Sequence, residues 1–218
     1  MNKEGVVEHI KRLGLIPILR TSSADDALTI AEILHGAGLT VLEIPLTVPG
    51  AVEVIAELAR RWRGEVLVGA GTVLDRKSAS ACIAAGATFV ISPSLELEVI
   101  AACNEAAVAA LPGALTPTEI VGAWRAGADM VKVFPASAAG GPSYIKAVKA
   151  PLPQIALCPT GGVSLQNAAA FIEAGAAALG VGSDLVDLPA LREGHGHVIA
   201  ERARLYLEIV AEARRKSG

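Results

Sequence analysis

The chain has 218 residues, a net charge of −3, 52% hydrophobic residues and only 3% aromatic ones. That length suits one α/β domain covering 1–218. A slightly acidic, aromatic-poor surface gives no purchase for nucleic acid, and no run of about 20 apolar residues is present to span a membrane.

Short apolar runs recur along the chain. "LIPILR" (15–20) comes first, then "TVLEIPL" (40–46), "EVLVGAGT" (65–72), "TFVISP" (88–93), "VAALPGA" (108–114), "DMVKVFP" (129–135), "IALCPTGG" (155–162) and "AALGVGS" (177–183). Each reads as a buried strand. Stretches of helical period separate them, such as "ADDALTIAEILHGAG". Four of these close on Ala-Gly, which fits a left-handed helix end. Ser22 or Ser23, Asp75 and Thr116 mark helix starts. Eight strand–helix units predict a (β/α)8 TIM barrel with "MNKEGVVEHIKRLG" as an extra N-terminal helix. An open doubly wound sheet is the alternative, but no glycine fingerprint follows the first strand.

In such a barrel the active site lies at the C-terminal ends of the strands. Two charged residues interrupt apolar runs there. Period-2 alternation sets Met130, Lys132 and Phe134 on one face of strand 6, and Glu43 is caged between Leu42 and Ile44 in strand 2. Both faces of a barrel strand are covered, so both charges are buried, and only the inward direction reaches the open end. A buried pair that merely fixes register is the alternative reading, although such pairs seldom stabilise. Buried amines lose their charge more readily, and a neutral amine attacks carbonyls to form a Schiff base. Glu43 beside it suits proton transfer.

The turns after strands 7 and 8, "PTGGV" and "GVGSDLV", offer small residues whose N–H groups can approach an anion. Arg20 at the end of strand 1 is read either as a surface strand end or as the group that holds a carboxylate. Thr72 and Thr160 end strands 3 and 7, and each is read either as a helix cap or as a ligand contact. Cys82, Cys103 and Cys158 are odd in number and widely spaced, so reduced thiols in a cytoplasmic protein are expected. His195 and His197 stand in a connection away from every strand end, and neither a metal nor another cofactor is expected.

These motifs, in this order, resemble the family of 2-keto-3-deoxy-6-phosphogluconate (KDPG) and 4-hydroxy-2-oxoglutarate (KHG) aldolases. "IPILR", "VLEIPLTVPGA", "VGAGTVL", "FVISPSL", "PGALTPTE", "VKVFPAS", "CPTGGV" and "GVGSDLV" carry the resemblance across nearly the whole chain. It implies a class I Schiff-base aldolase, a phosphorylated keto acid substrate and a homotrimer. Lys132 matches the Schiff-base lysine and Glu43 the acid/base. Arg20, Thr72 and Thr160 match pyruvate-binding positions, and Gly161, Gly162, Gly182 and Ser183 the phosphate cradle. Thr47 and Pro93 join them as substrate-binding candidates. One departure stands out: some members read Leu-Arg-Thr after the glutamate strand, whereas this chain has Leu46-Thr47-Val48. Three functions follow as expectations. The first is cleavage of the phosphogluconate derivative, or of its phosphogalactonate counterpart. The others are a phosphosugar epimerase using paired carboxylates, and a non-catalytic sugar-phosphate binder.

Overall fold

A computed structural model describes residues 1–217. The chain runs α1 (Lys3–Leu13), β1 (Leu15–Pro17), α2 (Ala24–Gly36), β2 (Val41–Pro45), α3 (Ala51–Arg61), β3 (Leu67–Gly71), α4 (Arg76–Ala84), β4 (Phe89–Ile91) and α5 (Leu97–Glu105). It continues through β5 (Ala109–Leu111), β6 (Gly113–Ala114), α6 (Pro117–Arg125), β7 (Val131–Val133), α7 (Pro142–Lys149), β8 (Leu157–Pro159), α8 (Ala168–Glu173), β9 (Leu179–Val181), α9 (Leu188–Arg192) and α10 (His197–Ser217).

All strand pairs are parallel. Ladders join β2 through β5 in order, β6 through β8, and β9 to β1. Two single bridges close the gaps, Ile18 with Glu43 and Thr160 with Gly180. The predicted fifth strand is split into β5 and β6 at Pro112, which has no N–H for the ladder. Counted as one, β5 and β6 complete a ring of eight. The predicted strands 6, 7 and 8 are therefore β7, β8 and β9.

Local chemistry sets the helix boundaries. Ser23 rather than Ser22 caps α2, accepting from the Asp26 N–H, and Asp75 caps α4 by accepting from the Ser78 N–H. Thr116 and Glu119 form a reciprocal capping box at α6, with Pro117 following. The Ala-Gly ends of α2, α4, α6 and α8 place Gly38, Gly86, Gly127 and Gly175 at φ of 91° to 103°, where a side chain would be strained. Among the described residues Thr72 and Thr160 cap no helix; Asp75 and Asn167 stand at the starts of the helices that follow them. α9 is a short helix that the periodicity leaves unmarked.

The core has two parts. The larger lies between the strands and the surrounding helices. The smaller fills the barrel with Ile16, Val41, Leu67, Phe89, Ala109, Met130 and their neighbours, and Val6, Val7 and Ile10 of α1 belong to it. The extra helix thus plugs the N-terminal end of the barrel. Among the described residues, no helix is long and apolar enough to cross a membrane.

Candidate active site

The inward-facing positions of each strand continue from that inner core toward the open end. In β7 this series is Met130, Lys132 and then Phe134 just beyond the strand. Lys132 is 6% exposed and Glu43 only 2%. Lys132 stands in register with Gly113 of β6 on one side and Cys158 of β8 on the other. Its Nζ lies 5.3 Å from the centre of the Phe134 ring.

Glycines make the room for these groups. A Cβ at Gly71 would fall 2.0 Å from Glu43 Oε1, so the carboxylate occupies the space a side chain would need. A Cβ at Gly69 would fall 2.1 Å from the Phe89 ring, and one at Gly180 would fall 2.2 Å from Thr160 Oγ1. A fourth glycine, Gly113, admits the backbone of Pro93, which would sit 2.3 Å from a Cβ there.

Burial raises the Glu43 carboxyl above the usual carboxylate range, and the charges of Lys132 and Arg20 pull the other way. The three groups therefore share one electrostatic field. Among the described residues no ion pair or hydrogen bond joins Lys132 directly to Glu43, which leaves space between amine and carboxylate. The Cys158 thiol beside them is pushed up to about 12, chiefly by burial. It stays a neutral thiol and offers no competing thiolate.

Above this pair opens a cavity of about 690 Å³, lined by Arg20, Phe134, Thr160 and two glycine turns. Gly161 and Gly162 (φ 86° and 77°) belong to the turn after β8, and Gly182 and Ser183 to the turn after β9. The outward-tied groups in the first turn are carbonyls. The Gly162 carbonyl accepts from Ser137 Oγ and Asn167 Nδ2, both at 2.8 Å, and the Gly161 carbonyl accepts from the Ser137 N–H at 3.0 Å. Among the described residues, the N–H groups of Gly162, Gly182 and Ser183 donate to no protein acceptor, while the Gly161 N–H faces the Gly180 carbonyl across the Thr160–Gly180 bridge. Three unpartnered donors around one cavity make a concavity suited to an anion.

Comparison with known proteins reaches the same point. Residues 6–201 match the family model described as KDPG and KHG aldolase. The chain belongs to the KDPG and KHG aldolase family. It is 39% identical over 158 residues to a 2-dehydro-3-deoxy-phosphogluconate aldolase of Pseudomonas aeruginosa, covering 72% of this chain and 71% of that one. It is 40% identical over 175 residues to a 2-dehydro-3-deoxy-6-phosphogalactonate aldolase of Escherichia coli, covering 80% and 85%. A crystal structure of KDPG aldolase from Legionella pneumophila, with pyruvate captured as a covalent carbinolamine, superposes with a TM-score of 0.79. That structure is 33% identical, with 88% of this chain and 92% of that one covered.

Set against this aldolase fold, the expected residues fall into groups. Arg20, Thr160, Gly161, Gly162, Gly182 and Ser183 line the cavity; Lys132 and Glu43 are buried and do not line it, Lys132 meeting it through the Phe134 ring. Thr47, Thr72 and Pro93 lie just beyond β2, β3 and β4 at the same end of the barrel but do not line that cavity. Thr47 is exposed, and Thr72 is half-buried with an unusual φ of 58°. Sequence reasoning passed over Phe134, whose ring packs near Gly161 as well as Lys132. Its place on the Lys132 face was the available signal. Asp184 and Asp187 also line the cavity, and their acidity beside an anion site gave no reason to single them out.

Proposed function

We propose that this protein is a class I aldolase that cleaves 2-dehydro-3-deoxy-6-phosphogluconate to pyruvate and glyceraldehyde 3-phosphate through a Schiff base on Lys132. The carrying observation is a buried amine and a buried carboxylate, unjoined, beneath a cavity rimmed with free N–H groups. The Lys132 amine attacks the substrate's C2 carbonyl, and loss of water gives the iminium. Glu43 accepts the proton of the C4 hydroxyl, directly or through one water, as the C3–C4 bond breaks. The bonding electrons enter the iminium and leave an enamine. Proton return from Glu43 to C3 and hydrolysis of the imine release pyruvate and the free amine.

Arg20, Thr72 and Thr160 are assigned to the keto acid end, with Thr47 and Pro93 beside them. Phe134 covers the imine with an apolar face. Gly161, Gly162, Gly182 and Ser183 are assigned to the phosphate. Cleavage of 4-hydroxy-2-oxoglutarate to pyruvate and glyoxylate uses the same Lys132 and Glu43 and leaves the phosphate turns empty. A cytoplasmic homotrimer remains part of this proposal, and the exposed apolar side chains Leu97 and Trp124 are where an interface between subunits is to be sought.

Trapping tests the covalent step. Pyruvate with sodium borohydride should add one reduced pyruvyl group per chain, mapped to Lys132. Labelling at Lys146 or Lys149, or none at all, would overturn the mechanism.

A further inference from the structure

Two aspartates line a cavity assigned to an anion, and this demands a reason. Asp187 is accounted for locally: its carboxylate caps α9 by accepting from the Ala190 N–H at 3.0 Å, and Arg202 lies 3.3 Å away. Asp184 is different, because its bonds leave its own loop. Asp184 Oδ2 accepts from the Leu165 N–H at 3.3 Å, in the segment after β8, and also from the Tyr206 hydroxyl of α10. Tyr206 is fully buried, and Arg202 of the same helix donates to the Asp184 carbonyl at 3.1 Å.

One carboxylate oxygen therefore ties the turn after β9 to the turn after β8, and α10 holds it from behind. These are the two turns that present the unpartnered N–H groups of Gly182 and Ser183 and of Gly162. The Thr160–Gly180 bridge joins the two strands at the base of the turns, and among the described residues no other backbone hydrogen bond crosses between the turns. Within the β9 turn, Leu185 and Val186 close back onto the Gly182 carbonyl at 3.0 and 2.9 Å. In the β8 turn, Asn167 closes onto Ser164 and Gly162. Each turn is closed on itself, so beyond that bridge the relative position of the two tips depends on what crosses between them.

We propose that Asp184 is a positioning residue that sets the separation of the two glycine turns and so tunes the site for a phosphate monoester. The inference rests on the phosphate half of the function proposed above. Its charge is a liability next to an anion, and its use lies in the oxygen that accepts two bonds.

That division gives the test. Asp184→Asn can keep an acceptor oxygen at the same place while removing the charge. Asp184→Ala removes the acceptor. Steady-state kinetics with the phosphorylated substrate and with 4-hydroxy-2-oxoglutarate, and inhibition by inorganic phosphate, are measured for wild type and both variants. Asp184→Ala should raise KM for the phosphorylated substrate and Ki for phosphate about tenfold, the scale of weakening a hydrogen bond to a charged group. Its kcat should stay within about twofold, and KM for the unphosphorylated substrate should not move. Asp184→Asn should restore wild-type values, and Tyr206→Phe should shift the same constants in the same direction by less. If Asp184→Ala does not fold, Tyr206→Phe with Asp184→Asn carries the test. Equal KM changes for both substrates, no change, or an Asp184→Asn variant as impaired as Asp184→Ala would overturn the proposal. Wild type without preference for the phosphorylated substrate would overturn the phosphate reading itself, and that result is visible before any variant is made.

Discussion

Gly71→Ala offers a way to move the Glu43 carboxylate without deleting it. The new Cβ would fall 2.0 Å from Oε1, and ordinary contact begins near 3.4 Å, so the carboxylate must retreat by about 1.4 Å. Gly71 is not among the residues at positive φ, so alanine fits the backbone there. A misplacement of about 1 Å in a catalytic group can cost about 10²-fold, and the full value of general acid–base help is about 10²–10⁴-fold. A fall in kcat of about 10²-fold or more is expected. Overpacking should lower stability by about 1–3 kcal/mol, a Tm loss of several degrees in a chain of this size. Borohydride trapping of pyruvate on Lys132 should survive far better than turnover, because the amine itself is untouched. Gly36→Ala, where a Cβ meets nothing within 4 Å, serves as the control. A Gly71→Ala enzyme with kcat within twofold of wild type, or one that loses trapping and turnover in step, would refute the reasoning.

Lys132→Arg should abolish both cleavage and trapping, since a guanidinium stays charged and forms no imine. Gly182→Val should raise KM for the phosphorylated substrate and spare 4-hydroxy-2-oxoglutarate; a Cβ there meets only Ile18, at 3.9 Å, so folding is not at stake. Gly162 is the poorer choice, because its φ is 77° and a Cβ would strike Ser137 Oγ at 2.3 Å. Glu43→Gln should reduce turnover by about 10²–10⁴-fold and change the pH dependence of stability. The folded protein holds the Glu43 proton more tightly than the unfolded chain does, so this group's contribution is intact below the ordinary carboxylate range and is lost as pH rises through the folded value. Thermal melts of wild type and Glu43→Gln should converge in acid and separate at neutral pH, with the variant the more stable; the opposite ordering would contradict a carboxyl raised by burial.

The sequence shows Lys132 and Glu43 because charges inside apolar strands are conspicuous. It shows the helix ends because Ala-Gly, Asp75 and Thr116 act on their immediate neighbours. It does not show why β3 contains Gly69 and Gly71, since the groups that need the space come from β4 and β2. The break at Pro112 hides in a run that reads as one strand. Thr72 and Thr160 read equally as caps or contacts, and only the placement of Asp75 and of the Gly180 backbone separates those options. Asp184 was illegible for a similar reason: its partners lie 19 and 22 residues away, on other elements.

The plug made by Val6, Val7 and Ile10 closes the N-terminal end of the barrel and leaves the opposite end as the doorway. Traffic through one doorway has an order. On the reading proposed above, the phosphorylated half of the substrate sits nearest the exit and the carbon bonded to Lys132 sits deepest, so the aldehyde should depart first and pyruvate last. The last product to leave is the one that meets the empty enzyme. Pyruvate should therefore inhibit competitively against substrate, while glyceraldehyde 3-phosphate, which returns to an enzyme still carrying its enamine, should inhibit noncompetitively.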